Sequence, residues 1–349
     1  MRHHADADGY CAAMALEEAL IPLVQKTRTK VWHGFRRQPC KAPLYDYGDA
    51  LRDLDAVKEE QLKERNVLFI LTDLGAGEEN LLALRRVRQH GAKVLIIDHH
   101  PGPTEITQSC DVYLNPHVKG LGSDLCAGIL CAELAHLLAP KHTDKYLHLA
   151  AIASVSDRSQ ITEYVKHQPL TQEQLRRIGM CIDFEAATLK FTDSDSIKDV
   201  IFNQEAVVNI IASELDARRE KIKLIAKAYM QVSPITLGEN GSTKAKLVML
   251  DVGRTMISDY PGSKIISIAH DMVEGPHISL GTRPDMVTVR VDGIAPELFS
   301  FRKLMEHLQT KLPHAGISGG GHDAAGTFRF VEAAYDEIMQ ETRRYLRLS

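Results

Sequence analysis

Two apolar runs, Val67-Leu68-Phe69-Ile70-Leu71 and Val94-Leu95-Ile96-Ile97, contain no polar residue. A strand of that kind has two faces to cover, which is the condition of a strand inside a parallel sheet flanked by helices. Both runs end in acid: Thr72-Asp73 follows the first, and Asp98-His99-His100 the second. One carboxylate and two imidazoles at a buried strand tip are costly unless something pairs with them. In open α/β sheets the carboxyl ends of the strands are where ligands bind. The expected molecule is therefore an α/β protein with a polar site at its strand tips.

The surrounding segments extend this pattern. Residues 9–24 place Met14, Leu16, Leu20 and Leu23 at helical spacing, residues 81–89 form a second helical pattern, and 111–114 read as a short strand. Ser123 or Asp124 suits the N-cap of a helix through Leu138, and a helix from Tyr146 to Val155 delivers Asp157 just past its end. Strands alternating with helices predict a doubly wound parallel sheet over residues 1–190. Residues 191–232 read as a helical linker, rich in Ala, Glu, Lys and Arg over 207–230. Ser233-Pro234 and Gly238-Glu239-Asn240-Gly241 are turn signals that open a smaller α/β domain over 233–349. Its expected strands are 245–250, 264–269, 277–281, 286–291 and 327–331, with helices at 296–311 and 332–346.

Composition narrows the class. The net charge of −4 argues against a strongly basic nucleic-acid coat protein, although a local basic groove is compatible with it. The six cysteines form no Cys-x-x-Cys pair, so they read as free thiols rather than zinc ligands or disulfides. With no signal peptide and no apolar stretch of membrane length, a cytoplasmic location is expected.

Four acidic or imidazole clusters stand in order, each at the end of an expected element: His4-Ala5-Asp6-Ala7-Asp8-Gly9, Asp73, Asp98-His99-His100 and Asp157. A single aspartate at such a place is more often a cap. The conjunction points to divalent metal. Mixed carboxylate and imidazole donors suit an ion such as Mn²⁺. Two ions about 3.5–4 Å apart clamp a phosphate, and they need a bridging carboxylate. Asp73, alone on its strand, is the natural bridge.

This series resembles the four motifs of the DHH phosphoesterase family, and the first motif, with no proline before its aspartate, resembles the RecJ-like branch. Gly319-Gly320-Gly321-His322 is similar to the signature of the associated substrate domain, DHHA1. The resemblance implies that His4, Asp6 and Asp73 hold one Mn²⁺ and that Asp8, Asp73, His99 and Asp157 hold the other, with Mg²⁺ as an alternative ion. It further implies that His100 contacts the scissile phosphate or leaving oxygen, with Asp98 orienting an imidazole from behind. Family members carry a full strand before the first motif. Here only Met1-Arg2-His3 precede His4, so that strand is expected to be missing: either the start is truncated or mis-called, or the first metal site is looser.

On the substrate side, three glycines let backbone amides approach a phosphate or nucleobase, so Gly319, Gly320, Gly321 and His322 are expected to form a substrate-binding loop. Arg283 resembles the family arginine that holds a terminal phosphate, and Arg158 stands next to Asp157. Segment His33-Gly34-Phe35-Arg36-Arg37 reads as a solvated loop, although its arginines could face a phosphate and Trp32 and Phe35 could stack on bases. The resemblance implies a Mn²⁺-dependent hydrolase of single-stranded DNA or RNA, short oligonucleotides or nucleotides, acting as a 5′ to 3′ exonuclease. It leaves open a pAp phosphatase or cyclic-dinucleotide phosphodiesterase, a homodimer, and a replication or repair partner. A non-catalytic scaffold binding GINS-type partners is the contrasting class, and the presence of every metal ligand speaks against it.

Overall fold

The computed structural model describes residues 1–27, 34–57, 67–74, 77–159, 163–189, 196–202, 205–238, 243–257, 260 and 262–348. The chain forms two compact units, Met1–Ser213 and Glu214–Ser349.

The first unit runs β1 (Arg2–His4), α1 (Ala7–Thr27), β2 (Gln38–Cys40), α2 (Tyr47–Ala56), β3 (Leu68–Thr72), α3 (Asn80–Gln89), β4 (Lys93–Ile97), α4 (Glu105–Gln108), β5 (Val112–Leu114), α5 (Ala127–Leu138), α6 (Thr143–Ser156), α7 (Glu163–Lys166), α8 (Gln172–Thr188), α9 (Ser196–Ile201) and the start of α10 (Glu205–Tyr229). Among the described residues, five strands form a sheet in the order β2-β1-β3-β4-β5, and every pairing is parallel. The apolar runs lie inside it. Phe69, Leu71, Val94 and Ile96 pack on one face against Ala50 and Leu54 of α2 and Ala83, Leu84 and Val87 of α3. Ile70 and Ile97 are buried on the other face, the side of α1 and α5. Each such side chain contributes about 1.5–3 kcal/mol on burial.

Strand order reverses between β1 and β3. The chain steps outward from β1 to β2 and then returns to β3, so the connections leaving β1 and β3 diverge. That switch point is where an open α/β sheet has a crevice at its carboxyl edge. His4 and Asp6 leave β1 there, Asp73 leaves β3, and Asp98-His99-His100 leave β4.

The first motif does have its strand. Arg2–His4 pairs with β2 through Arg2↔Gln38 and with β3 through Arg2↔Leu71. Three residues suffice because the strand is central and anchored. The Arg2 guanidinium is buried against Asp53 at 2.8 Å and Asp49 at 3.2 Å. The helix expected after Ser123 or Asp124 instead has Cys126 as its N-cap, and its first amides are capped by Asp8, from the first turn of the neighbouring α1. Arg37 is not solvated: its side chain is buried, bonds Glu17 at 2.6 Å and donates to His3 Nε2 at 3.2 Å. Trp32 and His33 lie outside the described residues.

The second unit completes α10 and continues β6 (Gln231–Leu237), β7 (Thr243–Asp251), α11 (Gly262–His270), β8 (His277–Arg283), β9 (Met286–Asp292), α12 (Phe301–Lys311), β10 (Ser318–His322), β11 (Ala325–Arg329) and α13 (Tyr335–Leu348). Its described strands form a six-stranded sheet ordered β10-β11-β9-β8-β7-β6, antiparallel except for the parallel pair β7–β8. Ile278, Leu280, Val287, Val289 and Phe328 pack against Phe301, Leu304 and Leu308 of α12 and Ile338 of α13.

Three expectations for this unit are corrected. Residues 264–269 are helix, because Ile265, Ile266, Ile268 and Ala269 make a stripe at helical rather than alternating spacing. Ser233-Pro234 is not a turn but lies inside β6, an edge strand, where proline is tolerated. The glycine triplet is not a loop but strand β10. Gly319 and Gly321 hold φ of 155° and 152°, and a Cβ on either would stand 2.3 Å from a carbonyl oxygen of β11. Only glycine fits that approach.

Candidate metal centre

Asp73 sits at the centre of the crevice. It is 2% exposed and its φ of 59° is left-handed, a conformation that aspartate tolerates better than most residues and that recurs at functional sites. Among the described residues of the first unit, ligand atoms fall into three groups, each spanning no more than 4.8 Å: His4, Asp6 and Asp73; Asp8, Asp73 and His99; and Asp73, Asp98 and His100. Asp73 belongs to all three.

The groups differ in how their atoms meet. His4 Nδ1 lies 2.8 Å from Asp6 Oδ2 and 3.4 Å from Asp73 Oδ2. His99 Nε2 lies 3.5 Å from Asp73 Oδ1 and 3.8 Å from Asp8 Oδ2. Asp157 Oδ2 approaches the other His99 nitrogen, Nδ1, at 3.7 Å. His99 Nδ1 donates to the Ser123 carbonyl at 3.0 Å, which turns Nε2 toward Asp73 and Asp8 and fixes the tautomer a metal ligand needs. Asp98 serves His100 rather than His99: its Oδ1 accepts from His100 Nδ1 at 2.9 Å and from the backbone amides of His99 and His100. Asn115 Nδ2 donates to the His100 carbonyl, and His117 Nε2 meets Ser123 Oγ at 2.9 Å.

Asp8 has a double setting. Both of its oxygens accept helix amides, from Ala127 at 3.0 Å and Gly128 at 2.8 Å, so the positive end of α5 stabilises its charge. Burial and the neighbouring Asp73 carboxylate nonetheless push its pKa up to about 8. Burial likewise lifts Asp157, with Asp73 adding to it and His99 opposing, to about 6. Burial alone would lower His99, but Asp73, Asp8 and Asp157 outweigh it and raise the imidazole to about 11. His4 is raised well above its ordinary value in the same way, by Asp6 and Asp73 against burial. Burial disfavours the Asp98 charge, yet His100 and the amides hold its carboxyl well below the usual range.

The donor set fits divalent cations. Four carboxylates (Asp6, Asp8, Asp73 and Asp157) converge with two imidazoles (His4 and His99), a mixed oxygen and nitrogen set that suits Mn²⁺ or Mg²⁺. Asp73 Oδ1 is buried with no hydrogen-bond partner among the described residues. A buried carboxylate oxygen in that condition can accept a cation or an ordered water. Asp8, Asp73, Asp98 and His99 form the buried floor, while His4, Asp6, His100 and Asp157 have side chains 21–36% exposed and line the opening.

Other expected site residues lie elsewhere. Arg158 follows Asp157, is exposed and has a left-handed φ of 56°. In the second unit, the Arg283 guanidinium lies against Gly262 of α11. The strand register does not bring Arg283 to His322. Arg283 shares its row with Met286, Arg329 and Ser318, whereas His322 shares one with Ala325, Arg290 and Ser279. Asn115 and His117 join the site without having been expected there, and Ser123, expected as a helix cap, joins it through its carbonyl and hydroxyl. Asn115-Pro116-His117 follows β5 at the same sheet edge as the other motifs, which was the available signal.

Residues 1–155 match the DHH family, N-terminal domain. The chain is 30% identical to the curated "Uncharacterized protein MJ1198" of Methanocaldococcus jannaschii, over 97% of this chain and 50% of that protein, so it spans about half the length of that relative. Among solved structures, it is similar to the DHH domain of a "member of s1p family of ribosomal proteins", at 31% identity and a TM-score of 0.89, covering all of this chain and 86% of that one. It shares its fold with RecJ in complex with Mn²⁺ from Thermus thermophilus, at 18% identity and a TM-score of 0.56, covering 99% of this chain and 51% of that one. The family match covers the segments that carry His4, Asp73 and Asp98 to His100, and the 31% identity runs on through Asp157 to the end of the chain; this protein belongs to the DHH family.

Proposed function

We propose that this protein is a manganese-dependent phosphoesterase that hydrolyses phosphodiester bonds in single-stranded nucleic acid or short oligonucleotides, releasing nucleotides from the 5′ end. The observation that carries this reading is the buried Asp73 Oδ1, which makes no hydrogen bond among the described residues and lies between two sets of donors. His4, Asp6 and Asp73 would hold one ion, and Asp8, Asp73 and His99, with Asp157 at the rim, the other. Such ions, when bound, supply an activated water and neutralise charge developing at phosphorus.

The chain's own groups do the rest. Asp73 fixes both donor sets about one carboxylate. The Ser123 carbonyl holds the His99 ring in register. His100, gripped by Asp98 and 31% exposed, stands at the opening where it can donate a proton to a phosphoryl or leaving oxygen. Arg158, Arg283 and the strand Gly319 to His322 are proposed to bind the substrate, with Arg290 added because it shares the His322 row.

The test uses 5′-labelled oligonucleotides of graded length, with pAp and cyclic di-AMP as competing substrates. Mn²⁺-dependent release of labelled mononucleotide by the wild type, abolished in Asp73→Asn, is expected. Asparagine is the better probe than alanine because it accepts a φ of 59°. No release at any length would overturn the nuclease reading, and full activity in Asp73→Asn would remove Asp73 from the reaction.

A further inference from the structure

Helix α8 (Gln172–Thr188) lies beyond the segment that matches the DHH family, N-terminal domain, and contributes none of the donor atoms above. It nevertheless meets residues next to the donors at two points. Asp183 Oδ1 accepts the Ala7 amide at 2.9 Å, across 176 residues, and Ala7 stands between the donors Asp6 and Asp8. One turn earlier, α8 closes onto the end of α6. A Cβ on Gly179 would stand 2.0 Å from Ser156 Oγ and 3.7 Å from Ala7 Cβ, and Ser156 immediately precedes Asp157. Leu175, Ile178 and Ile182 are buried, so this placement is held by packing.

The cap has a consequence for Asp6. The first amides of α1 have no partner within the helix. Asp6 Oδ1 already accepts the Gly9 amide at 3.0 Å, and its Oδ2 lies 2.8 Å from His4 Nδ1. The Ala7 amide is one of these donors, and the carboxylate of the residue before it, Asp6, already caps the same turn through Gly9. We propose that Asp183 is a positioning residue of the metal centre: by taking the Ala7 amide, it keeps Asp6 Oδ2 turned toward His4 and Asp73. This rests on the reading of the site as a metal centre. The Asp6 side is predicted to be the sensitive one, because Asp8 is held independently by the amides of α5.

The experiment is a Mn²⁺ titration of the full chain, with free ion read by electron paramagnetic resonance, on wild type, Asp183→Ala, Asp183→Asn and Asp183→Glu. Thermal melting without metal is recorded for each. Asparagine keeps an acceptor in place, so its affinities should stay within about threefold of wild type. Alanine, and glutamate with its acceptor displaced by a methylene, should weaken one of two sites by roughly tenfold or more, the range for outer-shell partners, and leave the other unchanged. If the alanine variant does not fold, the contrast between asparagine and glutamate decides the matter. Wild-type affinities in all variants, or a lower melting point with unchanged Mn²⁺ binding, would overturn the positioning role. A wild type that binds no Mn²⁺ would instead overturn the metal reading.

Discussion

At the scale of residues, the centre is organised around protons as much as around carboxylates. Without metal, Asp8 is pushed up to about 8, Asp157 to about 6 and His99 to about 11, so each can carry a proton near neutrality. A cation needs the same atoms deprotonated, and binding must displace those protons. The sign follows. Below pH 6 all three hold protons and binding is weakest; as pH rises through 6 and then 8, Asp157 and Asp8 release theirs and binding tightens. Apparent Mn²⁺ affinity should therefore rise by roughly tenfold per pH unit for each proton displaced. Calorimetry in buffers of differing ionisation enthalpy checks this, and pH-independent binding without proton release would contradict it. That these side chains gather at one place was legible in the sequence because each lies at or beside the end of an element. Their partners were not: Ser123 acts through its carbonyl and Asp183 through a helix amide, and neither leaves a mark in residue type or spacing.

At the scale of elements, the centre depends on helices starting in the right place. Gly128 opens α5 directly beneath Asp8, where a Cβ would stand 2.3 Å from Ala153 Cβ and 2.8 Å from Asp8 Oδ1. Gly128→Ala should therefore cost about 1–3 kcal/mol by overpacking and displace Asp8. Urea denaturation with and without Mn²⁺ should show reduced stability in both, with a smaller gain from metal than in wild type; a wild-type gain would mean that Asp8 is undisturbed. Strands β3 and β4 could be read from sequence because they are continuous and apolar. Strand β1 could not, because three residues, Arg2-His3-His4, carry no pattern and are held by an ion pair to Asp49 and Asp53 instead. Ile265 to Ala269 misled for the opposite reason: β-branched residues suggest a strand, but tertiary packing of a helical stripe prevailed. The extended Gly319 to Gly321 was hidden because glycine signals a turn until a neighbouring strand is known to press on it.

At the scale of the molecule, the strand order β2-β1-β3-β4-β5 accounts for the location of the site. The reversal between β1 and β3 gathers four motifs, scattered over residues 4–157, at one carboxyl edge. No described helix is long and apolar enough to cross a membrane. Two cations sharing Asp73 at this edge should be visible in crystals of the full chain grown with Mn²⁺ and measured at the manganese absorption edge. Two anomalous peaks are expected, one contacted by His4, Asp6 and Asp73 and the other by Asp8, Asp73 and His99. Peaks that do not touch Asp73, or none at this edge at saturating Mn²⁺, would contradict that arrangement.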